Sequence, residues 1–161
     1  MPKNIQRPGD GATYERARRR ANFLMWTVAL QRRRLKTNEP EDDEFIFRRW
    51  ADRDFLVVAL TRLRRAAILA AKVPALTGAM QKALTNFDAA LPTLKKVRDV
   101  SEHFDDYAMD RGHDRRISRM SLESDVIDDG FQRYADAAVL AAEELFKDIQ
   151  QAASLITRRA D

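Results

Sequence analysis

The sequence contains no cysteine, which excludes both a disulfide framework and a thiolate metal site. It also lacks any run of eighteen apolar residues and any apolar segment typical of a signal peptide, so we expect no membrane association and a cytoplasmic location. A glycine-rich phosphate loop, a His-Glu-x-x-His element and a Gly-x-Ser-x-Gly element are all absent. These absences leave P-loop nucleotidases, zinc peptidases and serine hydrolases without support.

Histidine is almost as scarce, because the chain has only two. His103, Asp106, Asp110 and His113 follow one another at steps of three, four and three residues, which would align four metal ligands on an unbroken helix. Gly112 favours a helix end before His113. Acidic residues on successive turns are also ordinary on a solvated face. We therefore expect neither a metal nor another cofactor.

What is present fits one soluble domain: 161 residues, 45% of them hydrophobic and 34% charged. The net charge of +4 is uneven, because residues 1–36 hold ten Lys or Arg against two acids. This asymmetry is compatible with a phosphate-bearing partner. The candidates for RNA contact are Arg16, Arg18, Arg19 and Arg20, although the same arginines could simply solvate one face of a helix.

Apolar residues at steps of three and four predict a series of helices. Residues 1–12 are expected to form a flexible lead and residues 13–161 a single domain. The first helix runs from a Thr13 cap to Lys36 and an acidic loop, Thr37 to Glu44, closes it. The second helix begins near Phe45 or Asp52 and ends at Lys72, before Val73-Pro74. The inward residues of these two helices are predicted to be Tyr14, Ala17, Ala21, Leu24, Val28 and Leu35, and then Leu56, Ala59, Leu63, Ala66, Ala70 and Val73.

Three further helices are predicted, at Leu76 to Ala90, Pro92 to Gly112, and Asp136 to Arg158. Residues 113–134 show no clean helical period, and Asp129-Gly130 is a turn signal, so we expect an irregular insert with a possible short hairpin. With no internal repeat, the pattern predicts an all-α up-down bundle of about five helices.

The helix predicted at Pro92 to Gly112 carries the chemistry. Leu94, Val97, Ser101, Phe104 and Ala108 are expected to form a continuous buried stripe along it. Beside that stripe Arg98, Asp99 and His103 follow one another as Arg-Asp-x-x-x-His. Asp99 and His103 are four residues apart, so their side chains share a helix face. Arg98 lies about 140° round the helix from His103 and needs its long side chain to reach the same cleft.

This arrangement resembles the Arg-x(4–6)-His motif of HEPN domains, the higher-eukaryote and prokaryote nucleotide-binding family, in which a polar residue usually follows the arginine. The run from Glu102 to Tyr107, EHFDDY, is similar to one seen in bacterial members. A short third helix, a motif helix, an irregular insert and a closing helix also match how that family is assembled.

The resemblance implies a metal-independent endoribonuclease that leaves a 2′,3′-cyclic phosphate and a 5′-hydroxyl. His103 would accept the proton of the 2′-hydroxyl, Arg98 would bind the phosphate, Asp99 would orient the imidazole, and Tyr107 would hydrogen-bond or stack at the cleft. It further implies a homodimer in which two motifs share one cleft, a role as a toxin or phage-defence effector, and in some cases a nucleotidyltransferase-like antitoxin.

Two alternatives stay open at this stage. Arg98 and Glu102 are four residues apart and could form an ordinary surface ion pair. The whole chain could also be a non-enzymatic helical dimer or binding module that contacts nucleic acid or a partner protein.

Overall fold

The computed structural model describes residues 8–43, 47–103, 105–106, 109, 111 and 129–157. Within these ranges the regular structure is helical and no strand occurs, which confirms the predicted all-α class. The longer helices are α1 (Asp10–Lys36), α2 (Phe47–Ala70), α3 (Thr77–Ala90), α4 (Leu94–Glu102) and α5 (Asp129–Gln151). A 3-10 turn, Pro40–Asp43, separates α1 from α2, and a short helix α6 (Ala153–Thr157) follows α5. No helix in the described ranges is long and apolar enough to cross a bilayer.

The long helices run antiparallel to their neighbours. The Tyr14 hydroxyl, near the start of α1, donates a 2.8 Å hydrogen bond to the carbonyl of Ile149, near the end of α5. At the other end of α1, Arg32 and Lys36 both donate to the carboxylate of Asp136 on α5. Helix α3 packs on α2 and α5, whereas α4 packs on α2. The arrangement is an up-down bundle with α4 placed against one side of it.

The core confirms most of the predicted inward stripes. Every residue predicted to face inward on α1 and α2 is buried, as is Val73 in the turn after α2. The many buried alanines let the helix axes approach closely, because interaxial distance depends on side-chain size at the contact. Leu84 of α3 and Ile156 of α6 pack against the core but are only partly buried. The fully buried large side chains are Leu24, Val28, Leu56, Val57, Leu60, Leu63, Val73, Leu76, Met80, Leu145 and Ile149.

An arginine network closes the connection between α1 and α2. The buried carboxylate of Asp52 accepts hydrogen bonds from Arg34 Nε at 2.8 Å and from Arg48 Nη1 at 3.2 Å. Arg48 also binds Asp42 in the 3-10 turn and the backbone carbonyl of Arg34. The Arg48 guanidinium holds the pKa of Asp42 at about 2. The acidic loop therefore folds back onto α2 through paired charges.

Three predicted helix boundaries are wrong. The N–H of Thr13 donates to the carbonyl of Gly9 at 2.9 Å, so α1 begins at Asp10 and residues 10–12 are helical instead of lying in a flexible lead. An acidic residue in the first turn suits the helix dipole there. Helix α2 ends at Ala70, two residues before the predicted end. Helix α5 begins at Asp129, before the predicted start, so Asp136 lies inside the helix, where its carboxylate accepts from Arg32 and Lys36.

Helix α4 is shorter than predicted. It ends at Glu102, and His103 has a non-helical backbone (φ −120°, ψ 37°). Carboxylates at and beyond the C-terminal end oppose the helix dipole, and its last turn holds no basic residue to offset them. The predicted buried stripe is interrupted at Ser101: Leu94 is buried and Val97 is half-buried, but Ser101 is exposed. Phe104, Ala108 and Gly112 of that prediction lie outside the described residues. The irregular insert expected at residues 113–134 is wrong at its end, because residues 129–134, including the Asp129-Gly130 turn signal, belong to α5. The rest of that insert, residues 113–128, lies outside the described residues.

Candidate nucleic-acid interface

The Arg98–Asp99–His103 segment occupies the last turn of α4 and the residue that follows it. Leu94 anchors the start of the helix in the core. The side chains of Arg98 and Asp99 keep 24% and 30% of their surface exposed, whereas that of His103 keeps 51%. Side-chain exposure therefore increases along the motif, from a partly buried arginine to a half-exposed imidazole.

The predicted proximity of Asp99 and His103 is present, but it is not a hydrogen bond. His103 Nε2 lies 3.9 Å from Asp99 Oδ1, beyond hydrogen-bond length. The two residues are joined more closely through the backbone, where the N–H of His103 donates to the carbonyl of Asp99 at 3.0 Å.

Arg98 forms the ion pair that the sequence left open as an alternative. Its Nε lies 3.3 Å from Glu102 Oε2, although the angle is not that of a hydrogen bond and this buried nitrogen has no hydrogen-bond partner among the described residues. Half of the Glu102 side chain is exposed, so solvent screens the pair, which contributes under about 1 kcal/mol. Arg98 can therefore exchange Glu102 for another anion at little cost in free energy.

Arg98 also lines a groove between α2 and α4 with a volume of about 480 Å³. The other charged residues of the groove are Arg64, Arg65, Lys95 and Asp88, which makes four cations against one carboxylate. Asp88 is already occupied, because its two oxygens accept hydrogen bonds from Arg64 at 2.6 and 2.7 Å. This bidentate pair raises the pKa of Arg64. The groove therefore keeps an excess of positive charge, as a site for phosphate would.

The amino-terminal end of α4 faces the same groove. Pro92, Leu94 and Lys95 line it, and the side chain of the N-cap residue, Thr93, makes no capping hydrogen bond. The N–H of Leu94 already donates to the carbonyl of Leu91 at 3.1 Å, whereas the helix dipole still favours an anion at this end. The helix terminus and the groove cations thus favour the same kind of ligand. We define these features together, the four cations and the start of α4, as the basic groove.

The structure brings together only part of the predicted site. Arg98 lies in the basic groove, whereas His103 is not among the residues that line it. Asp99 and His103 stand beside each other at the end of α4, and Tyr107 lies outside the described residues. Sequence reasoning missed Arg64, Arg65 and Lys95. The spacing of Lys95 and Arg98 was a usable signal, because residues three apart share a helix face.

The basic residues of α1 lie apart from the groove, since none of them lines it. Arg18 and Arg19 are both paired with Glu15, at 2.8 and 2.7 Å, and this pairing holds the pKa of Glu15 at about 2. Arg16 is exposed, and the guanidinium of Arg20 lies 5.4 Å from the ring centroid of Phe23. Two of the four predicted RNA-binding arginines are thus partly neutralised within their own helix.

No group of three or more histidine or acidic side chains able to hold a metal occurs in the part of the chain that the structure describes. The whole set considered from the sequence comes after the end of α4 at Glu102, and Asp110 and His113 lie outside the described residues. Comparison with protein-family models, with curated proteins and with solved structures finds no match. The class of the protein is therefore set by its fold alone: an all-α up-down bundle.

Proposed function

We propose that this protein binds RNA in the basic groove and cleaves it without a metal, in the manner that its resemblance to HEPN endoribonucleases implies. The observation that carries the proposal is the position of Arg98. The arginine of the Arg-Asp-x-x-x-His segment lines a groove together with Arg64, Arg65 and Lys95. A phosphate bound in this groove would meet a cation belonging to the motif.

The chemistry needs few groups, because RNA supplies its own nucleophile. The 2′-oxygen attacks the adjacent phosphorus, the bond from phosphorus to the 5′-oxygen breaks, and the cyclic phosphate and a 5′-hydroxyl are formed. His103 takes the proton of the 2′-hydroxyl as the general base. Arg98 exchanges Glu102 for the phosphate and offsets charge that grows in the transition state. Asp99 orients the imidazole.

A single Arg–His pair provides no proton donor for the departing 5′-oxygen. Two-fold pairing of two chains would supply a second histidine to the same cleft, which is why the proposal includes a homodimer. The wider role as a toxin or phage-defence effector, restrained in some cases by a nucleotidyltransferase-like antitoxin, comes with the family resemblance.

A non-enzymatic RNA-binding module is the second candidate, and a specific observation favours it. His103 does not line the basic groove, and Arg98 already has an anionic partner in Glu102. In this alternative the groove binds phosphate, while the histidine is only a half-exposed residue at a helix end.

The groove is tested by charge reversal. We expect Arg65→Glu combined with Lys95→Glu to weaken binding of a single-stranded 2′-O-methyl RNA, which cannot be cleaved, by at least about 10-fold. The slope of log affinity against log salt concentration should also become shallower by up to about 1.4, because two phosphate contacts are lost. Fluorescence anisotropy at several salt concentrations measures both.

The matched control is Arg62→Glu combined with Lys147→Glu, which changes the net charge equally at two exposed positions outside the groove. We expect this control to bind nearly as well as the native chain, with unchanged melting for both variants. Equal losses in the two double variants would mean that RNA responds to overall charge, and would remove the groove from the proposal.

A further inference from the structure

The outer face of α1 carries large apolar side chains that the described part of the chain leaves exposed. Phe23, Trp26 and Leu30 are 58%, 74% and 41% exposed, and steps of three and four residues place them on one side of the helix. The opposite side of α1 is the stripe buried against α2 and α5. We define Phe23, Trp26 and Leu30 as the aromatic face.

Arginines flank the aromatic face at both ends. Arg19 lies two turns before Trp26, Arg33 lies two turns after it, and both are exposed. Arg16 and Arg33 make no ion pair with any described residue, whereas Arg19 shares Glu15 with a neighbouring arginine. The stacked Arg20–Phe23 pair keeps one guanidinium against the face itself. The surface thus combines exposed rings with unneutralised positive charge.

We propose that the aromatic face of α1 is a binding platform for single-stranded nucleic acid, in which bases stack on Trp26 and Phe23 while the flanking arginines bind phosphates. Every base has a flat face that can stack on an aromatic ring, and arginine contributes both charge and stacking. Duplex nucleic acid offers phosphates but keeps its bases stacked on each other. The combination of rings and arginines therefore favours single strands.

Charge argues against a second copy of this chain as the occupant. Antiparallel pairing of two α1 helices about Trp26 would place Arg19 of one copy opposite Arg33 of the other, because both lie seven residues from Trp26. Parallel pairing would place each arginine opposite itself. Both arrangements bring like charges together at the rim of an apolar contact, which is unfavourable. A polyanion meets the same arginines with complementary charge.

The platform is separate from the basic groove, and its existence does not depend on cleavage at His103. It extends only the RNA-binding part of the proposed function. An oligodeoxythymidine tests it independently, because DNA lacks the 2′-hydroxyl that the cleavage requires. A chain without nuclease activity would still bind this probe, and a chain without the platform could still cleave RNA.

The experiment uses the two tryptophans of the chain. Trp50→Phe leaves Trp26 as the sole indole. The buried Nε1 of Trp50 has no hydrogen-bond partner among the described residues, so the change removes no hydrogen bond. The phenyl ring can still pack against Arg53, whose guanidinium lies 4.8 Å from the Trp50 ring centroid. We expect a 15-nucleotide oligodeoxythymidine to quench Trp26 fluorescence saturably, and a duplex of equal length to quench it far less.

Variants of the otherwise native chain provide the second measurement, by anisotropy of a labelled oligodeoxythymidine. We expect Trp26→Ala to weaken binding about 5- to 150-fold, the range for loss of one stacked base, with an unchanged salt slope. Arg16→Gln with Arg33→Gln should instead reduce the salt slope by up to about 1.4. The control is Phe55→Ala, which removes a ring that is 59% exposed on α2 and should change neither quantity.

Three results would overturn the platform. Unchanged affinity in Trp26→Ala would mean that no base stacks there. Polyglutamate that quenches Trp26 as strongly as the oligonucleotide would identify an acidic protein as the occupant. A dimer in light scattering that Trp26→Ala converts to monomer would show that a second copy covers the face.

Discussion

His103→Ala is expected to abolish RNA cleavage, by at least about 100-fold, and to leave the fold intact. General base catalysis by a positioned histidine contributes about 10²- to 10⁴-fold. The imidazole is half exposed and stands at the end of α4 outside the core, so its loss should hardly change the melting temperature. Gel analysis of a labelled single-stranded RNA and a thermal melt of the same preparation measure the two effects.

The other histidine of the chain gives a matched control. His113→Ala removes the same chemical group from a position that the proposed mechanism does not use, and its cleavage rate should equal that of the native chain. A loss of activity in both variants would favour the metal-ligand set His103, Asp106, Asp110 and His113 over the proposed mechanism. Activity that survives His103→Ala would reject the histidine as the base.

Arg98 should be nearly as sensitive. Arg98→Ala is expected to abolish cleavage, and Arg98→Lys should recover little of it, because a point charge cannot reproduce the bidentate contact of a guanidinium with phosphate oxygens. Asp99→Asn should do less damage, since an amide oxygen could accept the hydrogen bond from the ring that the mechanism assigns to the carboxylate. Single-turnover rates at saturating RNA separate these effects from changes in affinity.

Glu102→Gln distinguishes a phosphate-binding Arg98 from a structural one. If Glu102 only occupies Arg98 until a phosphate arrives, its neutralisation should leave cleavage intact and should not weaken RNA binding. If the ion pair itself maintains the site, Glu102→Gln should reproduce the defect of Arg98→Ala. A fully active Arg98→Lys would likewise show that the mechanism does not need a bidentate contact between the guanidinium and the phosphate.

The bundle could be predicted from the sequence because its core follows the helical period closely. The inward residues predicted for α1 and α2 are all buried in the structure, since each helix carries a stripe of apolar residues at steps of three and four. Helix ends were predicted less well. The end of α4 depends on a balance between apolar spacing and carboxylates that oppose its dipole, and periodicity measures only the first of these.

The candidate site was harder to predict, because it depends on contacts between helices. The Arg98–Glu102 pair follows from a spacing of four, and the pairing of Glu15 with Arg18 and Arg19 could have been anticipated in the same way. The basic groove could not, since nothing in the sequence says that Arg64 and Arg65 of α2 lie across from α4. The exposure of Trp26, by contrast, could have been anticipated, because the predicted inward stripe of α1 leaves this residue on the opposite side of the helix.

The most direct test of the account is the cleavage of one single-stranded RNA by purified protein in excess EDTA, beside the same RNA carrying a single 2′-O-methyl group at the cut site. We predict cleavage of the unmodified strand to a 2′,3′-cyclic phosphate and a 5′-hydroxyl, and none at the methylated position, because the attacking oxygen is blocked. The mechanism would be contradicted by cleavage that requires added magnesium or zinc, or by cleavage at the methylated position. The absence of any RNA cleavage by the native chain would favour the binding module.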